Sequence, residues 1–411
     1  MKVAYYSPLP PSRSGIADYS ALLLPALEQR LDVAIARPGR FRRPPSADIC
    51  LYHVGNDPDA HGWIVEALRR RPGIVVLHEY VLHHLVAGIT LARGDSRGYL
   101  DALEQGHGLA GRLLGYAVLD NRIPPLWETR PEEFPLAGSV LGSATSLIVH
   151  SHYVERRARE AGFDGPIVRI PHPAWPVPEH VSAGVDGEPL VGCFGNLNAS
   201  KRIPQLAGAF ARLRQRHRGA RLLLVGASAP RFDVDRHLER AGVSEAVHRE
   251  EYVDEARLWS LMAACDVCVN LREPTMGETS GTVIRALSLG KPLVVSDVGW
   301  FAELPGDAAI KVPIDEYEAG NIAAALELLA TDRTARSAMS AAGRRIAETE
   351  HDLERVADAY AAAIELAAGG SRVRDGVLRE VATAAAEVGI RRDDPEAVEL
   401  ARRMSEVGLG E

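Results

Sequence analysis

A loop over residues 270–286 carries the side chains best suited to chemistry. It follows a short apolar run and leads into a helical pattern, so it lies between a predicted strand and a predicted helix. Backbone N–H groups at a helix start bind anions, and ligands of open α/β sheets lie beyond the carboxyl ends of the strands. If an anion binds there, the carboxylate of Glu278 beside it could bind neutral hydroxyl groups of the same ligand. The alternative is an ordinary capped loop between a strand and a helix, which has a similar sequence. The other candidate residues of this loop are Thr279, Ser280, Gly281 and Thr282.

A second candidate site follows the strand predicted at residues 190–194. Gly195 would let a ligand approach the backbone, and Lys201 and Arg202 place two cations at the start of the next predicted helix. Cations are unfavourable at that end of a helix unless an anion lies nearby. The pattern therefore favours a diphosphate site over a surface lysine. Gly15, in a turn-rich loop before the first predicted helix, could bring the backbone close to the same diphosphate.

Histidines follow two of the strands predicted in the first half of the chain. His78 comes after the apolar run at residues 74–77, and His53 is a second candidate of the same kind. An imidazole near neutral pH can donate a hydrogen bond to a sugar hydroxyl or a phosphate oxygen, while the alternative is a structural histidine. The spacing of His78, His83 and His84 does not match a helical zinc-binding motif, so we expect no metal.

Composition and missing motifs argue against several classes of protein. The 411 residues are 46% hydrophobic and 25% charged, which is typical of a globular protein with two domains. A net charge of −8 argues against nucleic-acid binding. The chain has no Walker loop, no dinucleotide-binding Gly-x-Gly-x-x-Gly fingerprint and no Ser–His–Asp spacing, which disfavours kinases, dehydrogenases and hydrolases. Cys265 and Cys268 lie in an apolar stretch without a second cysteine pair, so we expect buried thiols.

Two features bear on where the protein acts. Residues 1–7 indicate the start of a strand and no signal peptide, and no apolar run reaches the ~18 residues of a membrane span. We therefore expect a cytoplasmic protein. Basic clusters at residues 37–43 and 69–71 are either solvated surface or a contact with an anionic acceptor or a membrane surface. The second interpretation allows peripheral membrane binding.

Alternating strands and helices position these residues. The alternation over residues 1–172 predicts a doubly wound parallel sheet. Prolines concentrated between residues 170 and 178 predict a semi-rigid hinge, and the alternation restarts at Leu190. Among the later elements, the sequence indicates a short strand at Tyr252 and Val253. We expect two similar α/β halves, followed by a polar, mostly helical extension over residues 371–411.

These features together resemble the retaining glycosyltransferases of family 4, which have the two-lobed GT-B fold. The resemblance covers residues 1–368 and is most specific over residues 252–303, where the loop with Glu278 is followed by Gly-Lys-Pro-Leu-Val-Val-Ser. It implies two Rossmann-like doubly wound α/β domains that face a central cleft. The implied divisions are an acceptor-side domain (1–172), a hinge (173–188), a nucleotide-sugar-binding domain (189–345), a helix crossing back to the first domain (346–370) and the helical extension (371–411).

The resemblance also implies roles for single residues. By this likeness His78 contacts the donor sugar and its phosphate, Lys201 holds the diphosphate, and the loop around Gly15 closes over it. Glu278 would keep the family's sugar-facing role with a shift of one residue along the chain.

Two positions depart from the family pattern. Asn196 stands where an arginine is common, so that Arg202 or Arg272 would supply the second diphosphate cation. Arg285 stands where a ribose-binding glutamate is usual, and a guanidinium has only donors to offer a diol. Either another residue holds the ribose, or Arg285 pairs with a carboxylate or a phosphate.

The sequence thus predicts a retaining, metal-independent glycosyltransferase. It would move a sugar from a UDP-, GDP- or dTDP-linked donor to an unidentified glycan, lipid-linked sugar or small molecule, without a cofactor. His78, Glu278 and Lys201 would be the catalytic residues. The alternatives are a nucleotide-sugar epimerase or phosphorylase on the same fold, and a catalytically silent interaction scaffold, which Asn196 and Arg285 suggest.

Overall fold

The computed structural model describes residues 1–12, 14–39, 44–230, 232–391 and 394–406. Three arginines of the first basic cluster, Arg40, Arg42 and Arg43, lie outside these residues. No helix in the described part of the chain combines the length and apolar character that crossing a bilayer requires. Cys265 and Cys268 are buried free thiols, as predicted.

The first half of the chain forms one six-stranded parallel sheet in the order β2-β1-β3-β4-β5-β6. Its strands are β1 (Lys2–Tyr6), β2 (Asp32–Ile35), β3 (Ile49–Val54), β4 (Gly73–Leu77), β5 (Ala144–Val149) and β6 (Ile167–Arg169). Its helices are α1 (Gly15–Glu28), α2 (Pro58–Arg70), α3 (His83–Thr90), α4 (Ser96–Leu119), α5 (Leu126–Thr129), α6 (Gly138–Leu141) and α7 (His152–Glu160). The strand order reverses between β1 and β3, and a crevice at the carboxyl ends is expected at such a point.

The second half forms another six-stranded parallel sheet, in the order β12-β11-β10-β7-β8-β9. Its strands are β7 (Leu190–Phe194), β8 (Arg221–Val225), β9 (Val247–Glu250), β10 (Val267–Asn270), β11 (Leu293–Ser296) and β12 (Ala309–Val312). Its helices are α8 (Ile203–Arg216), α9 (Val234–Ala241), α10 (Glu255–Ala264), α11 (Gly281–Ser288), α12 (Glu318–Thr331) and α13 (Arg333–Thr349). Short 3₁₀ helices span Leu91–Arg93, Ala199–Lys201, Ser244–Ala246 and Gly299–Glu303. Here the order reverses between β7 and β10, so the loops after these strands meet.

Both sheets are covered by apolar side chains on their two faces. Strands that are buried on both faces have continuous apolar sequences, because neither face meets water. Every residue of β4 and of β7 is buried, for example. This is why the central strands were predictable, and why the chemical side chains lie just beyond their ends.

The strand predicted at Tyr252 and Val253 is wrong. These residues lie in an irregular segment, and Tyr252 is exposed. The strand of this region is β9, which ends at Glu250, before these residues, and lies at the edge of the second sheet. An edge strand is only half covered, so its sequence Val-His-Arg-Glu shows no apolar run.

A long helix, α14 (Leu353–Glu387), returns from the second domain to the first and is followed by α15 (Pro395–Glu406). The hydroxyl of Tyr360 lies 2.7 Å from that of Tyr19 on α1. Arg30, just after α1, forms ion pairs with Glu354, at 2.9 Å, and Asp358, at 2.7 Å. The division predicted between residues 370 and 371 falls inside this helix. Glycines within a helix cost only about 1 kcal/mol each, so they need not end it.

Candidate functional site

A cleft of about 890 Å³ lies between the two domains. It is lined by the loops that follow β1, β3 and β4 on one side and β7 and β10 on the other. Twelve of the fourteen site residues that the sequence predicts line it. Arg202 does not, and neither does His53, which lies within β3 instead of after it. Those twelve are Gly15, His78, Gly195, Asn196, Lys201, Arg272, Glu278, Thr279, Ser280, Gly281, Thr282 and Arg285.

The start of α11 forms one wall of the cleft. Ser280 is its N-cap and accepts a hydrogen bond from the N–H of Val283. The Asn270 amide, at the end of β10, donates to the hydroxyls of Ser280, at 3.1 Å, and Thr282, at 2.7 Å. These bonds fix the loop so that the first N–H groups of the helix are available to an anion. The Thr279 hydroxyl is buried without a hydrogen-bond partner among the described residues.

The Glu278 carboxylate is held in place by its own loop. One oxygen accepts hydrogen bonds from the Met276 N–H, at 2.8 Å, and the Thr275 hydroxyl, at 3.1 Å. The other lies 2.6 Å from Nε of Arg272, although that N–H is not aimed at it. Gly277 has a positive φ of 78°, and a Cβ there would lie 3.0 Å from the side chain of Tyr80 in the other domain. A side chain at position 277 would therefore be strained, which explains why the carboxylate comes from the next residue.

Lys201 is a buried cation beside this loop. Its ammonium donates to the carbonyl of Phe194 at 2.7 Å, and the side chain is 4% exposed. Burial, and then the nearby Arg272, lower its pKa to about 8. Gly195 has a φ of 95°, a backbone conformation that favours glycine, and the position a Cβ would take there lies 3.4 Å from the ammonium. A buried charge requires compensation, so this position favours an anionic ligand.

Arg202 does not reach the cleft. Its guanidinium forms an ion pair with Glu318, with Nε 3.0 Å from the carboxylate. Glu318 is only 3% exposed, and a buried carboxylate of this kind needs a cation. The second cation of the cleft is therefore Arg272, whose side chain is largely buried and whose backbone N–H donates to the Ser296 hydroxyl at 2.8 Å.

Arg285 pairs with a carboxylate that the sequence did not bring to notice. Its Nε donates to Glu255 at 3.0 Å, and its guanidinium lies 3.6 Å from the centre of the Trp175 ring. The Trp259 N–H donates to the same carboxylate at 2.8 Å. Arg285 is thus neutralised, while Glu255 stays half-exposed in the cleft. Asp18 of α1 faces the same group, and burial raises its pKa while Arg285 opposes this shift.

The first domain contributes His78 and Glu79 to the cleft. Nε2 of His78 lies 2.9 Å from Nδ1 of His53, and both rings are buried. One oxygen of Glu79 accepts the N–H of Asn56 at 2.6 Å. Burial, and then the Glu278 carboxylate of the other domain, raise the pKa of Glu79 to about 7. Gly15, the first residue of α1, has nothing within 4 Å of the position a Cβ would take, so the backbone there is open to the cleft.

The described residues hold no group of three or more His, Cys, Asp or Glu side chains arranged to bind a metal ion. The groups that could bind a ligand in the cleft are instead two cations, the start of a helix, carboxylates and a histidine. Such a set can hold a diphosphate at one end and hydroxyl groups at the other.

Solved structures of other proteins share this architecture. Sucrose-phosphate synthase from Thermosynechococcus elongatus matches with a TM-score of 0.60, over 94% of this chain and 100% of that chain, at 17% sequence identity. Anabaena HepE in complex with UDP and glucose matches with a TM-score of 0.58, over 89% of this chain and 99% of that chain, at 16% identity. The chain has the GT-B fold. This confirms the predicted fold class of two Rossmann-like domains around a cleft, with a helical extension.

The family model matches mainly the second domain of this GT-B protein. Residues 179–346 match the family described as glycosyl transferases group 1. The α-D-kanosaminyltransferase of Streptomyces kanamyceticus is 24% identical over 199 residues, which are 48% of this chain and 47% of that protein. The chain thus matches about half the length of this curated relative. The matched family region contains Lys201, Arg272 and Glu278, and the first domain, with His78, lies outside it.

Proposed function

We propose that the protein is a retaining, metal-independent glycosyltransferase that moves a sugar from a nucleotide-diphosphate sugar to an acceptor hydroxyl. The observation that carries this proposal is the cleft itself. Lys201, Arg272 and the start of α11 form its cationic side in the second domain, Glu278 lies beside Arg272, and His78 of the first domain lines the same cleft. The match of residues 179–346 to glycosyl transferases group 1 supports the same reaction.

A nucleoside diphosphate suits the cationic side of the cleft. The Lys201 ammonium and the Arg272 guanidinium supply positive charge, and the N–H groups at the start of α11 add hydrogen-bond donors. Anabaena HepE binds UDP and glucose in a structure with the same fold. UDP-, GDP- and dTDP-linked sugars are therefore the donors to test.

The reaction breaks the bond between the anomeric carbon and the diphosphate oxygen, whose electron pair leaves with the diphosphate. Lys201, Arg272 and the α11 N–H groups stabilise that developing charge, which is the role that a divalent metal ion would otherwise have. Glu278 and His78 hold sugar hydroxyls so that the anomeric carbon faces the acceptor. The acceptor oxygen bonds to the anomeric carbon and its proton passes to the released diphosphate. Retention of configuration is inferred from the resemblance to family 4.

Donor hydrolysis without acceptor tests the reaction directly, because water can replace the acceptor hydroxyl. The protein is incubated with each nucleotide sugar, and the released nucleoside diphosphate and free sugar are measured. An epimerase would return a nucleotide sugar instead, and a phosphorylase would require inorganic phosphate. Unchanged rates with a chelator, and NMR of the first-formed anomer, test metal independence and retention.

Two variants separate binding from turnover. Lys201→Met should lower the turnover number about 10²- to 10³-fold, as does loss of one preorganised donor in other enzymes. Glu278→Gln should lower turnover while leaving the affinity for a nucleoside diphosphate within about threefold, because Glu278 faces the sugar. Lys311→Met is the matched control, since its ammonium also donates to a backbone carbonyl, at 3.0 Å from Ala302, but lies outside the cleft. Full turnover in both cleft variants would contradict the assignment of the site.

A further inference from the structure

Buried histidines gather around Tyr19 at the base of the cleft. The Tyr19 ring lies 4.7 Å from that of His78 and 4.8 Å from that of His172, measured between ring centres. The His78 ring lies 5.2 Å from His53 and 5.0 Å from His150. This histidine cluster comprises His53, His61, His78, His150, His172 and His351, and each residue is at most 7% exposed.

Four members of the histidine cluster have their tautomer fixed by a backbone carbonyl. In each, Nδ1 lies within hydrogen-bond distance of an oxygen that can only accept, so Nδ1 carries the proton and Nε2 is a lone pair in the neutral ring. The four bonds join His61 to His53 at 3.1 Å, His150 to Ile170 at 2.8 Å, His172 to Pro173 at 2.8 Å and His351 to His172 at 2.6 Å.

The rings of the histidine cluster are neutral near pH 7. Burial is the main cause that lowers the pKa of every member. Repulsion between neighbouring rings adds to this, as for His78, which faces His53, His61, His150 and His172. The pKa values of His61 and His150 are lowered to about 4. Each ring therefore carries one proton, and the neighbours decide which nitrogen holds it.

Only one proton can lie between His53 and His78. Nδ1 of His53 is 2.9 Å from Nε2 of His78, and Nε2 of His53 is buried without a partner among the described residues. If His78 donated, His53 would bury an unpaired N–H, whereas if His53 donates, it buries only an unpaired lone pair. Buried unpaired N–H groups are the rarer of the two. The Nε2 lone pair of His150, whose tautomer is fixed, is likewise buried and unpaired in the same cluster.

We infer that His53 is a positioning residue, whose Nδ1–H fixes His78 in the tautomer that presents an Nδ1–H donor to the cleft. His78 lines the cleft, and its Nδ1 makes no hydrogen bond within the described part of the chain. The tautomer itself does not depend on the proposed function. The role of this tautomer in the reaction rests on the proposed function. In that role, the Nδ1–H of His78 donates to an oxygen of the sugar or of the diphosphate of the donor.

The tautomer can be measured without any substrate. Long-range ¹H–¹⁵N correlation spectra of the ¹⁵N-labelled protein at pH 7.5 distinguish a protonated Nδ1 from a protonated Nε2 in each ring. The His78 signals are those missing from the spectrum of His78→Gln. We expect His78 with the proton on Nδ1, and His53 likewise. A His78 ring protonated on Nε2, or on both nitrogens, would overturn the inference.

Variants at position 53 test the positioning role. His53→Asn keeps an N–H donor near the place of Nδ1, His53→Leu removes it, and His53→Asp replaces it with an acceptor that moves the His78 proton to Nε2. The turnover of donor should stay within about threefold of the wild type for the asparagine variant. It should fall about 10²-fold for the leucine and aspartate variants, as for loss of one preorganised donor.

His150→Leu is the matched control, because it removes another ring of the histidine cluster without touching Nε2 of His78. It should leave the His78 tautomer unchanged and lower turnover less than His53→Leu does. Equal losses for His53→Asn, His53→Leu and His150→Leu, with one His78 tautomer in all of them, would show a packing role only. If no nucleotide sugar is turned over by the wild type, the proposed function fails, while the NMR result still decides the tautomer.

Discussion

Lys201 combines a charge, burial and a neutral hydrogen-bond partner. Its ammonium donates to the carbonyl of Phe194, and burial lowers its pKa to about 8. A lysine whose folded pKa is lowered destabilises the fold below that pKa, and stability recovers as the pH rises towards the unfolded value of 10.5. A bound diphosphate would favour the charged form and offset this cost.

We therefore expect diphosphate binding to depend on pH through Lys201. Binding of the anion raises the pKa of Lys201, so above pH 8 the lysine must take up a proton when the ligand binds. The affinity should therefore fall as the pH rises above about 8. Titration calorimetry of a nucleoside diphosphate at pH 7 and pH 9 measures the change. In Lys201→Met the affinity should be low and nearly the same at both values, while a wild-type slope in that variant would show that another group is responsible.

Glu79 should make the protein less stable at alkaline pH. Its carboxyl pKa is raised from 4.5 to about 7, so its stabilising contribution is present below 4.5 and is lost as the pH rises through 7. At about 1.4 kcal/mol per pKa unit, the charged form costs up to about 3 kcal/mol at pH 8. Glu79→Gln should thus raise the free energy of unfolding relative to the wild type at pH 8 but not at pH 4. Urea unfolding at both values measures this, with the exposed Glu179→Gln as control.

The locations of single candidate residues were predictable where their position after a strand decides them. His78, Lys201 and Glu278 follow strands of a doubly wound sheet, and the structure places all three in the cleft. Ion pairs between distant residues were not predictable. Glu255 is 30 residues from Arg285, and Glu318 is 116 residues from Arg202, so no sequence window contains both partners.

At the scale of elements, α7 is capped by the opposite domain. The Glu303 carboxylate accepts the N–H groups of His152, at 3.0 Å, and Tyr153, at 2.6 Å, at the positive end of the α7 dipole. Nearby, the Met276 carbonyl accepts the N–H groups of Tyr80, at 2.8 Å, and Val81, at 3.0 Å. These bonds cross between the domains and link the two sides of the cleft.

Glu303→Ala should favour an open arrangement of the domains. Loss of such a cap removes about 0.5–2 kcal/mol of stabilisation. Because this cap joins the two domains, we expect its loss to shift the equilibrium from the closed towards the open arrangement. Small-angle scattering should show a larger radius of gyration, and the KM for donor should rise. Asp307→Ala is the control, because its carboxylate pairs with Arg345 within the second domain. Equal radii for the two variants would show that Glu303 does not hold the domains together.

Strands buried on both faces were easier to predict than some strands at the sheet edges. The bounds of β7 match the prediction, because its residues are buried on both faces. The edge strands β6 and β9 are only partly buried and were not predicted. The length of α14 could not be predicted either, since its first part packs on α1 while residues 376–387 are exposed or only partly buried.

At the scale of the whole molecule, α14 ties the last part of the chain to the first domain. Val356, Ala357, Tyr360 and Ile364 are buried in the core formed with α1 and β1. The first domain is therefore complete only with this helix in place. Stability of the first domain should then depend on residues more than 300 positions away in sequence.

Ile364→Ala should destabilise the first domain selectively. Ile364 is 0% exposed, and truncation of such a side chain costs about 2–5 kcal/mol. Hydrogen exchange should accelerate in α1 and β1 more than in β7 and β8. Leu366→Ala, on the same helix but 74% exposed, should change neither. Equal acceleration in both domains would indicate that the two domains unfold together.

The central claim is that the cleft binds the diphosphate of a nucleotide sugar through Lys201. The most direct measurement is the melting temperature of wild type, Lys201→Met and Lys311→Met with millimolar UDP, GDP, dTDP and their sugar conjugates. A ligand at a concentration 100 times its dissociation constant stabilises the native state by about 2.7 kcal/mol. We expect at least one ligand to raise the melting temperature of the wild type and of Lys311→Met, and to leave Lys201→Met unchanged. No shift with any of these ligands, or an equal shift in all three proteins, would contradict the claim.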